Sequence, residues 1–368
     1  MNLAQLDTPA LVVDLDKLES NLKTMQTRIN TLGLTLRPHT KAHKIPAIAQ
    51  MQIEAGAKGI CTSKLGEAEV MAKGGIKDIL ITTPIAGDKK IQRLVTLHQH
   101  YPDCRLIQIV DHIEHVKQIA IAASKAGLII ELMIEVESGQ QRCGVAVGDE
   151  LITLIQLIQQ TEGVSYAGVQ AYSGHLQHIK GYDARNKQAK AAVQDLFTLI
   201  ESTLKPKGLA PEIISGGGTG TYAAYQDLNY TEIQAGSYLF MDASYRAIGD
   251  EHHDEKNTQF QAALSVLSTV ISHPTSTRAV VDAGMKCLSI DSGMPIIEGR
   301  EDITYQTGGD EHGILHLEEP NTQLEIGQQL TFIPSHCDTT LNNFDTLYGV
   351  RDGEVVEQWE ILGRGRSD

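Results

Sequence analysis

The chain has 368 residues, 41% hydrophobic and 21% charged, enough to bury one large core or two moderate ones. Its 31 basic and 46 acidic residues give a formal charge of −15, which argues against nucleic acid or an anionic membrane as partner, since phosphate attraction needs a basic face. Five scattered cysteines (Cys61, Cys104, Cys143, Cys287, Cys337) form no CxxC pair, against a disulfide framework or a zinc ribbon.

The first fifteen residues carry no basic segment ahead of an apolar run, so no signal peptide is expected. No stretch approaches the ~20 apolar residues that cross a bilayer. A cytosolic, reducing location is the expectation.

In chain order, a strand-like opening at 9–16 leads into a helical pattern at 18–30. Strand-like runs follow at 34–41, 56–63, 78–83, 105–110, 129–136, 166–174, 212–216 and 232–240. Helical patterns at 64–73, 112–126, 151–161 and 183–204 lie among them, with apolar residues three and four apart. Eight strands alternating with helices point to a closed parallel (β/α)8 barrel of the TIM type; a doubly wound open sheet is the competing reading. After residue 245 the texture changes to short β-like runs at 260–271, 279–287, 313–317, 328–333 and 357–362, with a turn signal at Asp352-Gly353. The division is therefore a barrel at 1–244 and a mostly-β domain at 245–368, with residues 1–17 as potential members of the second.

A barrel of this kind carries its chemistry at the C-terminal ends of its strands. Polar residues fall there: Lys41, Ser63, Glu135 with Glu137, Tyr172 with His175, Gly216 to Gly218, and Tyr238. In Arg37-Pro38-His39-Thr40-Lys41-Ala42-His43-Lys44, alternation puts Arg37, His39, Lys41 and His43 on one side. Crowding by other cations disfavours an ammonium, leaving the amine that carbonyl condensation requires. A solvated basic loop is the plain alternative. Ser215-Gly216-Gly217-Gly218-Thr219-Gly220-Thr221 brings backbone N–H groups and hydroxyls within reach of a phosphate, or is a glycine-rich turn without a ligand. Gly236-Ser237-Tyr238 on the last strand favours the phosphate reading, because barrels often bind phosphate there.

Arg142, in Gly139-Gln140-Gln141-Arg142-Cys143-Gly144, is either a fixed cation for a phenolate or carboxylate, or half of a surface ion pair. His175 and His178 are either bases or loop residues. In Pro334-Ser335-His336-Cys337-Asp338-Thr339-Thr340, an extended backbone would project His336 and Asp338 to one side, where they could share an ion or simply hydrogen-bond. Nitrogen with carboxylate suits Mn2+, Mg2+ or Zn2+, the absence of thiolate leaning toward the harder ions.

Taken in order, these motifs resemble the fold-type III pyridoxal-phosphate enzymes with an alanine-racemase-like barrel, in the branch of D-threonine aldolases and D-serine dehydratases. The resemblance runs from Thr8-Pro9-Ala10 through RPHTKAHK, EVESGQQRCGV, YSGHLQH, SGGGTGT, TEIQAGSYLFMD and VDAGMK to PSHCDTT. It implies pyridoxal 5'-phosphate held by Lys41 as a Schiff base, with Arg142 at the phenolate oxygen and Tyr172 near the ring. Gly218, Thr219, Gly236, Ser237 and Tyr238 would hold the phosphate; His336 and Asp338 would hold a divalent ion, Mn2+ or Mg2+ favoured. The dehydratases of this group resemble His-x-Cys at that place. Here the third position is Asp338 and the cysteine is displaced to Cys337, which favours the aldolase. The implied activity is retro-aldol cleavage of D-threonine and related D-β-hydroxy-α-amino acids to glycine and an aldehyde, with His178 as base. The alternatives are β-elimination from D-serine or 3-hydroxy-D-aspartate, an amino-acid racemase, or a non-catalytic cofactor-binding protein. The resemblance also implies a homodimer.

Overall fold

The computed structural model describes residues 1–317 and 324–368. The chain folds as two compact units: one comprises Met1–Thr24, Ala42–Ile45 and Ser237–Gly365, the other Met25–Lys41, Pro46–Gly236 and Arg366–Asp368.

In the second of these, the sheet order is Thr35–Leu36, Glu232–Ile233, Ile213–Gly216, Val164–Ala171, Ile130–Glu135, Arg105–Val110, Asp78–Ile81 and Ile60–Thr62, every neighbouring pair parallel. The first and last strands meet through a parallel bridge between His39 and Cys61, where the Cys61 N–H donates to the Pro38 carbonyl at 2.8 Å. That closes the (β/α)8 barrel. Its strands are near-continuous apolar runs, as strands covered on both faces must be. Cys61, Leu80, Ile107, Ile109, Met133, Ala167 and Ile213 make one buried cluster. Helices Leu65–Lys73, Asp88–His100, Ile113–Lys125 and Asp149–Gln160 connect consecutive strands. Each buries one stripe: Ile91, Leu94 and Val95 in one, Leu151, Leu154, Ile155 and Ile158 in another. Each such side chain contributes about 1.5–3 kcal/mol. Tyr182–Leu199, the helix expected to run to 204, ends in a π-helical turn at Ile200–Leu204.

The other unit is mostly β. Among the described residues, nine strands form its sheet. Ala10–Asp14 pairs antiparallel with Leu264–Thr275 and parallel with Thr346–Arg351. Leu6, Ala10, Val12 and Leu267 form a core, with Tyr348, Val350 and Val355 packed against it. Thr346–Arg351 turns back into Glu354–Glu360 through Asp352 (φ 51°) and Gly353 (φ 76°), the two left-handed residues that a tight hairpin needs. The strand expected over 279–287 is Arg278–Val281 only. Asp282 then turns its carboxylate to Ser268 Oγ at 2.6 Å and Thr269 N at 2.9 Å, ending the ladder.

The five cysteines are free thiols, and among the described residues no helix is long and apolar enough to cross a membrane.

Candidate active site

The residues singled out by the sequence fall into two groups, one in each unit. In the barrel unit, Lys41, Arg142, Tyr172, His178, Gly218, Thr219 and Gly236 all follow the C-terminal ends of strands. Lys41 is half-buried within the single 3-10 turn Thr40–Ala42. Its backbone N–H donates to His39 Nδ1 at 3.3 Å. With Nδ1 accepting, the ring proton sits on Nε2, which reaches Thr82 Oγ1 at 3.2 Å; that hydroxyl donates onward to the Thr62 carbonyl at 3.0 Å. Three neighbouring strand ends thus fix the turn that carries the lysine.

Of the expected row of cations, Arg37 turns away into other partners. Alternation ends at the 3-10 turn, and Arg37 is fully buried in its own ion network. Its guanidinium donates to both oxygens of buried Glu232 at 2.7 and 3.0 Å, and to Asp78 at 2.5 Å. Arg37 is a structural ion, tied to Glu232 and Asp78.

Glu137 folds the Arg142 loop around its own carboxylate, accepting from Gly139 N at 2.5 Å. Burial works against that charge, but N–H groups of residues 139 to 142 outweigh it and hold the Glu137 carboxyl below its usual range. Gly144 N donates to Asp111 at 3.0 Å, clamping the far end of the loop. Arg142 then lies with its guanidinium carbon 5.7 Å from the centre of the Tyr172 ring, a cation–π contact. The structure brings these two residues together.

Glu135, a strand-end carboxylate in the sequence, has no motif around it that marks a role. It lies 3.9 Å from Arg142, almost fully buried. Burial pushes its carboxyl up to about 8, against the opposing effects of the Gln170 hydrogen bond and Arg142. Gln170 donates to Glu135 and accepts from Gln234 Nε2 at 2.8 Å, and Gln234 also donates to Ser215 Oγ at 3.0 Å. A chain of buried side chains therefore joins the strand before Arg142 to the first residue of the glycine loop.

That loop is held from beneath by Gln177, which sequence reasoning passed over. Its amide donates to Thr221 Oγ1 at 2.9 Å and accepts from Gly220 N at 3.0 Å. A Cβ on Gly220 would stand 2.1 Å from the Gln177 carbonyl oxygen, and one on Gly218 would stand 2.5 Å from its side-chain oxygen. Gly217 has φ +67°, which a side chain rarely adopts. The close approach leaves room only for glycine. Such a bare backbone, with buried Thr219 beside it, fits the phosphate of pyridoxal phosphate, as Lys41 fits its aldehyde. His178 is exposed in the turn after the 3-10 element Gly174–Leu176.

In the β-rich unit, Ser237 and Tyr238 begin the 3-10 turn Ser237–Leu239, both buried, Tyr238 with its ring 5.9 Å from Phe260. His336 and Asp338 are not in an extended segment as expected. His336 is the N-cap of the short helix Cys337–Leu341, and Asp338 lies in its first turn. They still meet: His336 Nε2 is 4.0 Å from Asp338 Oδ2, while Nδ1 is bonded to Asp291 at 2.6 Å. Buried Asp242 supports the turn from below, accepting from Cys337 N at 3.1 Å and from Tyr245 N at 2.8 Å. Burial raises the Asp242 carboxyl. Burial alone would lower His336, but Asp338, Asp291 and Asp242 outweigh it and raise its pKa. Cys337 points away, fully buried, its thiol raised well above the usual value by burial. An imidazole nitrogen and a carboxylate oxygen facing each other, with no thiolate at hand, fit a harder divalent ion. Among the described residues no group of three or more such ligands is gathered.

The fold and these two groups define an alanine-racemase-like enzyme with a β domain. Residues 13–244 match the model of the alanine racemase N-terminal domain and residues 263–350 that of a putative serine dehydratase domain. The chain is 36% identical to a 3-hydroxy-D-aspartate aldolase of Paracoccus denitrificans (strain Pd 1222), over 100% of this chain and 94% of that protein. It is 38% identical to a D-threonine aldolase of an Arthrobacter species, over 99% of this chain and 94% of that protein. The crystal structure of D-threonine aldolase from Filomicrobium marinum superposes with a TM-score of 0.94 at 38% identity, covering 100% of this chain and 98% of that one. The chain belongs to the fold-type III pyridoxal-phosphate family, in the lyase branch whose members include aldolases.

Proposed function

We propose that the protein is a D-threonine aldolase, cleaving D-threonine and related D-β-hydroxy-α-amino acids to glycine and an aldehyde with pyridoxal 5'-phosphate and a divalent ion. The observation that carries this reading is the pairing of His336 Nε2 with the Asp338 carboxylate, in place of the thiolate of a zinc-favouring site. The aldolase relatives support it.

When bound, the cofactor supplies an electron sink for the breaking Cα–Cβ bond, and the ion makes the β-hydroxyl more acidic. Lys41 would offer the amine that holds the cofactor. The glycine loop with Thr219, Gly236, Ser237 and Tyr238 would hold the phosphate, and Arg142, steadied over Tyr172, would pair with the phenolate oxygen. His336 and Asp338 take the ion, Mn2+ or Mg2+ in preference to Zn2+. His178 removes the β-hydroxyl proton as the aldehyde departs, and Cα gains a proton, so glycine and aldehyde account for every atom of the substrate. We read the active protein as a homodimer by the family resemblance, and as cytosolic from its scattered free cysteines; light scattering tests the assembly.

The test is product analysis. Incubated with D-threonine, pyridoxal phosphate and Mn2+, the protein should release glycine and acetaldehyde, and chelation should abolish both. Oxo acid and ammonia in place of glycine would establish β-elimination, and unchanged turnover after exhaustive chelation would favour a racemase.

A further inference from the structure

The serine- and aspartate-bearing loop at 289–292 carries no motif and had no place in the sequence reading, yet it is fastened to the His336 turn at several points. Ser335 Oγ donates to the Ser289 carbonyl at 2.8 Å, and Ser289 N donates to Thr340 Oγ1 at 3.2 Å. Thr339 Oγ1 donates to Asp291 Oδ1 at 2.8 Å. The remaining oxygen of Asp291 meets His336 Nδ1 at 2.6 Å. A carboxylate only accepts, so the ring proton belongs on Nδ1. In the neutral ring that an ion would require, the one remaining proton stays on Nδ1 and the lone pair is on Nε2, the nitrogen that faces Asp338.

We propose that Asp291 is the positioning residue of the ion site: it fixes the tautomer and the rotation of the His336 ring, so that Nε2 is a ready ligand. The inference rests on the assignment of His336 and Asp338 as ion ligands. A ring held by carboxylate at one nitrogen is also a more basic ligand at the other, and removal of such partners commonly weakens metal affinity by ~10–100-fold. Asp291 touches neither substrate nor cofactor in this account; it acts through His336. Asn in its place could still accept from Nδ1–H and reach Thr339, without the charge.

The experiment titrates Mn2+ into the cofactor-loaded protein and its variants, following bound ion by calorimetry and by the loss of the free-ion magnetic resonance signal. Wild type should bind, and Asp338→Ala should lose binding. Asp291→Ala should bind ~10–100-fold more weakly and Asp291→Asn should fall between the two. Thr339→Val, which removes the other bond to Asp291, should stay within about threefold of wild type, separating ring orientation from loop anchoring. The cofactor absorbance of each variant reports an intact fold. Equal Mn2+ affinity in wild type and both Asp291 variants overturns the inference while leaving the ion site standing. Equal loss in Thr339→Val overturns it too, as the mark of a structural anchor. Absence of Mn2+ binding by wild type, or undiminished binding by Asp338→Ala, overturns the ion site itself.

Discussion

The Glu135 carboxyl lies 3.9 Å from the guanidinium of Arg142, buried at the end of its strand while the arginine stands half-exposed on the loop that follows. Burial, partly offset by Gln170 and Arg142, raises that carboxyl from 4.5 to about 8. The folded chain keeps a proton there that the unfolded chain gives up. The stability this contributes is complete below about pH 4.5 and is lost as the pH rises to about 8. Glu135→Gln, which mimics the protonated form, should flatten that part of the profile and leave the variant relatively more stable at alkaline pH. Urea unfolding of both proteins across this range checks it, and parallel profiles would refute it.

Arg37 joins Glu232 and Asp78 where solvent does not reach the guanidinium. Arg37→Leu leaves Glu232 buried with Lys58, 3.3 Å away and itself partly exposed, as the remaining cation among the described residues. Breaking a buried pair from one side costs about 3–5 kcal/mol. Equilibrium unfolding should show a loss of this order, and a loss below ~1 kcal/mol would mean that the network is cosmetic.

The glycine loop should respond unequally to small additions. Gly220→Ala drives a methyl into the backbone oxygen of Gln177, whereas in Gly218→Ala the flexible end of the Gln177 side chain can swing aside. The first should cost about 1–3 kcal/mol of stability and the second less, although both weaken retention of pyridoxal phosphate. Melting curves and cofactor titration rank them. The reverse order would mean that Gln177 does not brace the loop.

Cys337 stands between His336 and Asp338 in sequence but faces the interior, with its thiol kept protonated by burial. Cys337→Ala should lower stability by about 1 kcal/mol through a small cavity, and change the affinity for Mn2+ less than threefold. Alkylation of the native protein should leave this residue unlabelled. Rapid labelling, suppressed by added ion, would instead make the thiol a ligand.

Much of this fold was legible because two periods run through the chain, one of apolar strands and one of amphipathic helices. The eight strands were readable, but the reach of the first and last was not. The regular strand ends at Leu36, although Arg37 N and His39 N still donate to the Ile233 and Ala235 carbonyls at 2.9 and 3.1 Å; Pro38 has no N–H to give and only accepts from Cys61, and the chain winds into the 3-10 turn that holds Lys41. The last barrel strand is likewise regular only over Glu232–Ile233, with Gln234 N still donating to the Gly216 carbonyl at 2.9 Å, before the turn at Ser237–Leu239. Local order hides long-range partners altogether. Asp291 stands 45 positions from His336, and Gln177 holds a loop 43 positions away, so nothing beside either residue marks it. Arg37 misled for the same reason, since its partner Glu232 lies 195 residues on.

The central claim is that Lys41 is the amine to which the cofactor condenses. Reduction of the pyridoxal-phosphate-loaded protein with borohydride, then digestion and mass spectrometry, reads it directly. A single phosphopyridoxyl group on Lys41, absent from Lys41→Ala, is the expected result. The same label on Lys44 or elsewhere, or no label, would contradict the account.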